Sequence, residues 1–333
     1  MIGLKGLEVH FAGRQSIGAA MLGRRPRVVR AVDGVDLHVS RGEIVALVGE
    51  SGSGKTTLGR AAVGAIAPTR GSILLDGLDV NGLRGRAKLD YHRRVQIIFQ
   101  DPYESLNPRE TVLDIVSEAL DVQGLAREPE ERSARVRRAL EEAGLRPPEA
   151  YLERYPHELS GGQRQRVAIA AAMILDPEIV IADEPVSMLD ASIRAGILRL
   201  MLDLRKRHSL AFLFITHDLS LAWAFADRIA VMYLGRIVEI GSAEQIVRAP
   251  RHPYTRALLA VLPSRSAPRA GRRQLLAGEV PDASRLPPGC RFAPRCPVAF
   301  DRCRTEEPPL IQLDDGQASA CWLAPSGPLP DVP

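Results

Sequence analysis

The clearest chemistry in this chain is carried by nine consecutive residues, Gly49-Glu50-Ser51-Gly52-Ser53-Gly54-Lys55-Thr56-Thr57. They satisfy the pattern G-x-x-x-x-G-K-[ST] at every fixed position. Gly49, Gly52 and Gly54 let the backbone wrap closely, so that successive N–H groups and a helix N-terminus point at one anion. Lys55 adds a point charge for the outer phosphates of a nucleoside triphosphate, and the Thr56 hydroxyl is suited to ligate Mg²⁺. A Gly/Ser-rich turn is the plain alternative. The order of a buried strand (Glu43 to Val48), loop, Lys-Thr pair and helix (Thr57 to Val63) favours the phosphate site.

Four further groups end apolar stretches. Ile179-Val180-Ile181-Ala182 delivers Asp183 and Glu184, and two adjacent carboxylates at a buried strand end are expensive without a cation. Asp183 suits the Mg²⁺ side of a triphosphatase, and Glu184 suits polarisation of an attacking water. Gln100 ends the stretch from Val95, and His217 ends the stretch from Ala211. A lone His is usually structural, but ligands in open α/β sheets sit at the C-terminal strand ends, where all these residues fall. Leu159-Ser160-Gly161-Gly162-Gln163 precedes another helix and offers a second anion cradle or a simple helix cap. Phe11 ends the first strand, where it either stacks on a purine or fills a core.

The elements that must hold these groups read as α/β. Strands are expected at 4–11, 31–39, 71–77, 228–234 and 236–240, besides those already named. A Gly- and Arg-rich loop is expected over 12–30. Helices at 111–120 and 131–145, the second with an apolar stripe of Val136, Leu140 and Leu145, suit a small helical insertion. Further helices follow at 164–175, 191–207 and from 243. The chain has 333 residues, 45% hydrophobic and 25% charged, as soluble globular proteins do. A net charge of +4 is too small to imply nucleic acid. The arginines at 24–30 suit solvated surface or anionic lipid heads. No apolar run approaches the ~20 residues that span a bilayer, and the N-terminus lacks a signal-peptide layout. The expected location is the cytoplasm unless a partner holds the chain at a membrane.

Cys290, Cys296, Cys303 and Cys321 all fall in a Pro/Arg/Gly-rich tail that starts near 263. This tail is expected to wrap the surface, and since nothing places the cysteines near the nucleotide, a group held by them would be structural or regulatory. Its cysteines lack the C-x2-C pairs usual for zinc, so an iron–sulfur cluster, zinc and free thiols all stay open.

Taken together, the phosphate loop (49–57), Gln100, LSGGQ (159–163), IVIADEP (179–185), SMLD (187–190) and His217 resemble the nucleotide-binding subunit of ATP-binding-cassette (ABC) transporters. The resemblance implies an α/β P-loop NTPase over 1–250, with a RecA-like core, an antiparallel β subdomain and a helical subdomain at about 102–170. Residues 251–333 would form a C-terminal extension. It also implies a head-to-tail dimer, in which the phosphate loop of one subunit and Ser160, Gly161, Gly162 and Gln163 of the other clamp each ATP. Glu184 would be the general base, His217 a γ-phosphate contact and Gln100 a contact to Mg²⁺ and water. Thr56 and Asp183 would hold Mg²⁺, Asp190 would organise the dimer interface and Phe11 would stack on adenine.

A narrower resemblance rests on Phe99 to Arg109, Arg154 to Leu159, Val231 to Gly235, His252 to Thr255 and Gly289 to Pro297 with Cys303 and Cys321. These are similar to the F-type ATPases of oligopeptide/dipeptide importers. That implies a second, D-type ATPase, two transmembrane permeases, an extracytoplasmic substrate-binding protein and a peripheral place on the cytoplasmic face of the inner membrane. It further implies a [4Fe-4S] cluster on the four cysteines. Two positions depart from the family, Ala171 and Met188, and neither removes a catalytic group. Similar ATPases serve importers of nickel chelates or glutathione. A soluble cassette ATPase acting on nucleic acid would ordinarily carry two cassettes or a coiled-coil insertion, and this chain has neither. A degenerate, structural ATPase is disfavoured because no motif residue is lost.

Overall fold

The computed structural model describes residues 1–13, 27–126, 128–261 and 281–326. Strands β1 (Ile2–Ala12), β2 (Val28–Val39), β4 (Arg70–Leu75) and β5 (Leu78–Asp79) form an antiparallel sheet in the order β2-β1-β4-β5. Leu7, Val9, Val32, Val35, Leu37 and Val39 face its core, the half-buried alternation expected of such a sheet. β2 begins earlier than the sequence suggested, because Val28 and Val29 pair with Ala12 and Phe11. Most of the 12–30 loop, including Arg24 and Arg25, lies outside the described residues.

The larger sheet takes β3 (Ile44–Val48), β6 (Val95–Ile98), β7 (Ile179–Asp183), β8 (Ala211–Thr216), β9 (Arg228–Tyr233), β10 (Arg236–Ser242), β11 (Ile311–Gln312) and β12 (Ala318–Ser319). Its order is β11-β12-β10-β9-β3-β8-β7-β6, and the pairings from β9 through β6 are parallel. β3, β7 and β8 are buried throughout, as strands covered on both faces must be. Their period of two sends alternate residues into separate cores. Ile44, Ala46, Val48, Val180, Ala182, Phe212 and Phe214 join the core under helices Val112–Gln123, Pro129–Glu142, Gly161–Met173 and Ala191–His208. Val45, Leu47, Ile179, Ile181, Leu213 and Ile215 join the core shared with helix Lys55–Ala62 and the antiparallel sheet.

The tail departs from expectation. Beyond helix Pro253–Ala260, β12 pairs antiparallel with β10 and β11 with β12, so the tail extends the main sheet. Phe292 is 1% exposed and its ring centroid lies 5.4 Å from those of both Tyr233 and Tyr254. This segment is therefore packed into the core rather than laid over the surface. Among the described residues, no helix is long and apolar enough to cross a membrane.

Candidate nucleotide site

The turn from β3 into helix Lys55–Ala62 is shaped by close backbone approach. A Cβ on Gly49 would lie 2.2 Å from the Met232 carbonyl oxygen. One on Gly54, at φ +106°, would lie 1.9 Å from that of Ala31. Only glycine fits either place. The Gly235 N–H, donating to the Ser53 carbonyl at 2.8 Å, ties the loop to the turn after β9. Lys55 is 5% exposed, and its ammonium donates to the carbonyls of Gly49 (2.8 Å) and Glu50 (2.9 Å). Burial lowers the Lys55 pKa, while the carboxylates of Glu184, Asp183 and Glu50 oppose that shift.

Asp183 ends β7 with its carboxylate accepting a 3.2 Å hydrogen bond from the Thr56 hydroxyl. Burial holds its pKa above the usual carboxylate range despite that bond, and the neighbouring Glu184 pushes it the same way. A buried Asp bonded to the threonine of a phosphate loop makes an oxygen pair suited to a hard cation. Glu184 sits in the left-handed region at φ +46°, where a residue with a Cβ is strained. Its N–H donates to the Ile215 carbonyl at 2.9 Å, which fixes the kink. The kink delivers its carboxylate to Gln100 Nε2 (3.3 Å) and His217 Nδ1 (2.9 Å). Gln100 lies two residues past β6, and His217 directly follows β8.

Thus the residues singled out at three strand ends meet beside the phosphate loop. A cleft of about 680 Å³ is lined by Ser51, Gly52, Gly54, Lys55, Thr56, Thr57, Gln100, Glu184 and His217. Phe11 is not among its lining residues. It stands opposite Val29 in the β1–β2 register, and Val29 does line the cleft, so Phe11 shares that face at the margin. Ser160 caps helix Gly161–Met173, accepting from the Gln163 N–H at 3.3 Å while its own N–H donates to Gln163 Oε1 at 2.9 Å. None of residues 160–163 lines the cleft. Asp190 is exposed at the start of helix Ala191–His208.

Sequence patterns missed Leu258 and Ala283, which also line the cleft. Both belong to the C-terminal part, residues 251–333. Their small apolar side chains left no signal in any motif.

Cys290, Cys296, Cys303 and Cys321 converge on a single pocket with Phe292, Pro308 and Trp322. Burial pushes Cys290 up to about 11 and Cys296 up to about 12. Among the described residues, no three of these sulfurs lie within 4.8 Å of one another. Tetrahedral zinc, with Zn–S near 2.3 Å, needs its sulfurs about 3.8 Å apart.

Parallel buried strands that feed a glycine loop, a Lys-Thr pair and a strand-end acid define a P-loop nucleoside triphosphatase. Comparison with known proteins narrows the class. Residues 32–187 match the family model of the ABC transporter, and residues 238–303 match that of the oligopeptide/dipeptide transporter C-terminal region. The dipeptide transport ATP-binding protein DppF of Haemophilus influenzae is 44% identical over 317 residues, 95% of this chain and 94% of that protein. A Brucella ovis protein with a peptide-import ATP-binding name is 45% identical over 321 residues, 96% and 97% of the two chains. The cassette MJ0796, solved as a dimer bound to ADP and Pi, aligns with a TM-score of 0.63 at 29% identity, covering 73% of this chain and 99% of that one. The chain belongs to the ABC-transporter ATP-binding subunits that carry the oligopeptide/dipeptide C-terminal region. It is an ABC-type ATPase, binding ATP with Mg²⁺.

Proposed function

We propose that this subunit couples ATP hydrolysis to import of dipeptides or oligopeptides across the cytoplasmic membrane. The observation that carries the reading is the meeting of Gln100, Asp183, Glu184 and His217 beside the phosphate loop in a chain whose C-terminal region is of the peptide-transporter kind. Thr56 and Asp183 hold Mg²⁺, and Lys55 and the loop N–H groups hold the phosphates. Glu184 takes a proton from the attacking water, with His217 and Gln100 orienting its carboxylate and contacting the γ-phosphate and metal.

Ser160 to Gln163, which does not line this cleft, serves the nucleotide of a second ATPase subunit of D-type, and Asp190 lies at that interface. The exposed Phe99 and Tyr103, 41% and 60% accessible beside Gln100, suit contact with two permeases. Those permeases hold the subunit peripherally at the cytoplasmic face, and an extracytoplasmic binding protein supplies the peptide. The domain division follows the same logic: residues 1–250 as the ATPase, with the helical part at about 102–170, and 251–333 as the extension.

Cys290, Cys296, Cys303 and Cys321 hold a [4Fe-4S] cluster, which as a bound group supplies a rigid, redox-active cross-link. The pocket that all four thiols line supports this. Anaerobically purified protein is expected to be coloured, with a visible absorbance band from the cluster. A colourless protein containing zinc would overturn the cluster. For the transport reading, isolation with two permeases and peptide-dependent ATP hydrolysis is expected. DNA-stimulated hydrolysis with no permease partner contradicts it.

A further inference from the structure

The segment that carries the cysteines is wired to the phosphate loop at two points. Arg295 directly precedes Cys296 and is 8% exposed. It forms a two-pronged ion pair with Glu50, Nη1 to Oε2 at 2.7 Å and Nη2 to Oε1 at 3.0 Å. Glu50 is the second residue of the phosphate loop. Its N–H donates to the Tyr254 hydroxyl at 2.9 Å, and its carbonyl accepts from Lys55. One residue therefore receives the tail on its side chain and holds the phosphate-binding lysine on its backbone.

The second connection starts at Arg291, which directly follows Cys290. Its guanidinium pairs with buried Asp33 and donates to the Leu234 carbonyl. Gly235, next in sequence, donates its N–H to the Ser53 carbonyl of the phosphate loop. Between the two arginines the chain makes tight turns, with Ala293 N–H on the Cys290 carbonyl at 3.0 Å and Arg295 N–H on that of Phe292 at 2.9 Å. The Cys290 N–H itself donates to the Cys303 carbonyl at 2.8 Å. A displacement at the sulfurs is passed along such turns to the guanidinium groups rather than absorbed. Bidentate Arg–carboxylate pairs are geometrically demanding, and a buried one whose partner shifts leaves a charge uncompensated.

We propose that Arg295 is a positioning residue for the phosphate loop, through which the state of the four-thiol pocket sets the affinity of the site for ATP. The proposal deepens the ATP-site reading and rests on it, but it holds for whichever metal group occupies the thiols.

The test is binding of a fluorescent ATP analogue to the purified full-length chain, paired with thermal unfolding in the absence of nucleotide. Arg295→Gln and Glu50→Gln are each expected to weaken binding about tenfold, and the double variant to be no weaker than either single one. Arg295→Lys, which keeps the charge but not the fork, is expected to fall between parent and Arg295→Gln. Cys296→Ser is expected to weaken binding in the parent and to add nothing to Arg295→Gln. A purely structural role for Arg295 would lower the melting temperature of its variants with affinity unchanged, and that result overturns the proposal. Multiplied losses in the double variant, or equal loss from Cys296→Ser in both backgrounds, also overturn it. Should Arg295→Gln not fold, the comparison of Arg295→Lys with Glu50→Gln decides, affinity equal to the parent in both being contradictory. A parent that binds no ATP analogue would sink the ATP-site reading instead. A parent without visible absorbance would sink only the iron–sulfur assignment.

Discussion

At Glu184 the backbone is held in a conformation that a residue with a Cβ rarely adopts, and strain of this kind persists only where surrounding structure imposes it. The β8 carbonyl that accepts the Glu184 N–H does so, and the result is a carboxylate shared between Gln100 and His217. Replacing it with glutamine keeps the shape and removes the proposed base. Glu184→Gln is expected to retain ATP affinity while phosphate release falls by roughly 10²–10⁴-fold. Unchanged release would remove Glu184 from the reaction. The meeting of Glu184 with Gln100 and His217 was legible in the sequence because each group ends an apolar run, and the C-terminal ends of parallel strands share one rim. Glu50 and Arg295 were not, since their pairing depends on how the tail folds back over 245 positions.

At the scale of elements, β10 joins the ATPase core to the tail through a buried carboxylate. Glu239 accepts hydrogen bonds from the N–H groups of Arg251 and His252 and from Gln317 Nε2, next to β12. Burial raises its pKa from the ordinary 4.5 to about 7. The folded state therefore favours the protonated form. That contribution to stability is complete below about pH 4.5 and is lost as pH rises through 7. Glu239→Gln, which carries no charge at any pH, is expected to be more stable than the parent at pH 8, by on the order of 3 kcal/mol at most. The difference should vanish near pH 4.5. Parallel unfolding curves across that range would refute the assignment. The tail strands themselves escaped notice because each is two residues long, too short for any periodic pattern, and Pro-rich flanks read as loop. The helices of the insertion were found to within a few residues, since their apolar spacing is long enough to register.

The molecule as a whole presents one phosphate loop and, not lining the cleft beside it, the Ser160–Gln163 turn that caps helix Gly161–Met173. In the proposed reading that turn serves a second subunit, and hydrolysis is tied to the closing and opening of the dimer so formed. The two loops were legible from sequence because each sits on a local turn that opens a helix. The tail's reach to the cleft through Leu258 and Ala283 was invisible, being a matter of packing between segments with no motif. The most direct measurement is peptide uptake into proteoliposomes that contain this subunit, its partner ATPase and two permeases, with binding protein and ATP supplied on opposite faces. Uptake that requires ATP and is abolished by Glu184→Gln is the predicted result. Uptake unaffected by that substitution, or ATP-driven uptake of nickel chelates or glutathione but no peptide, would contradict it.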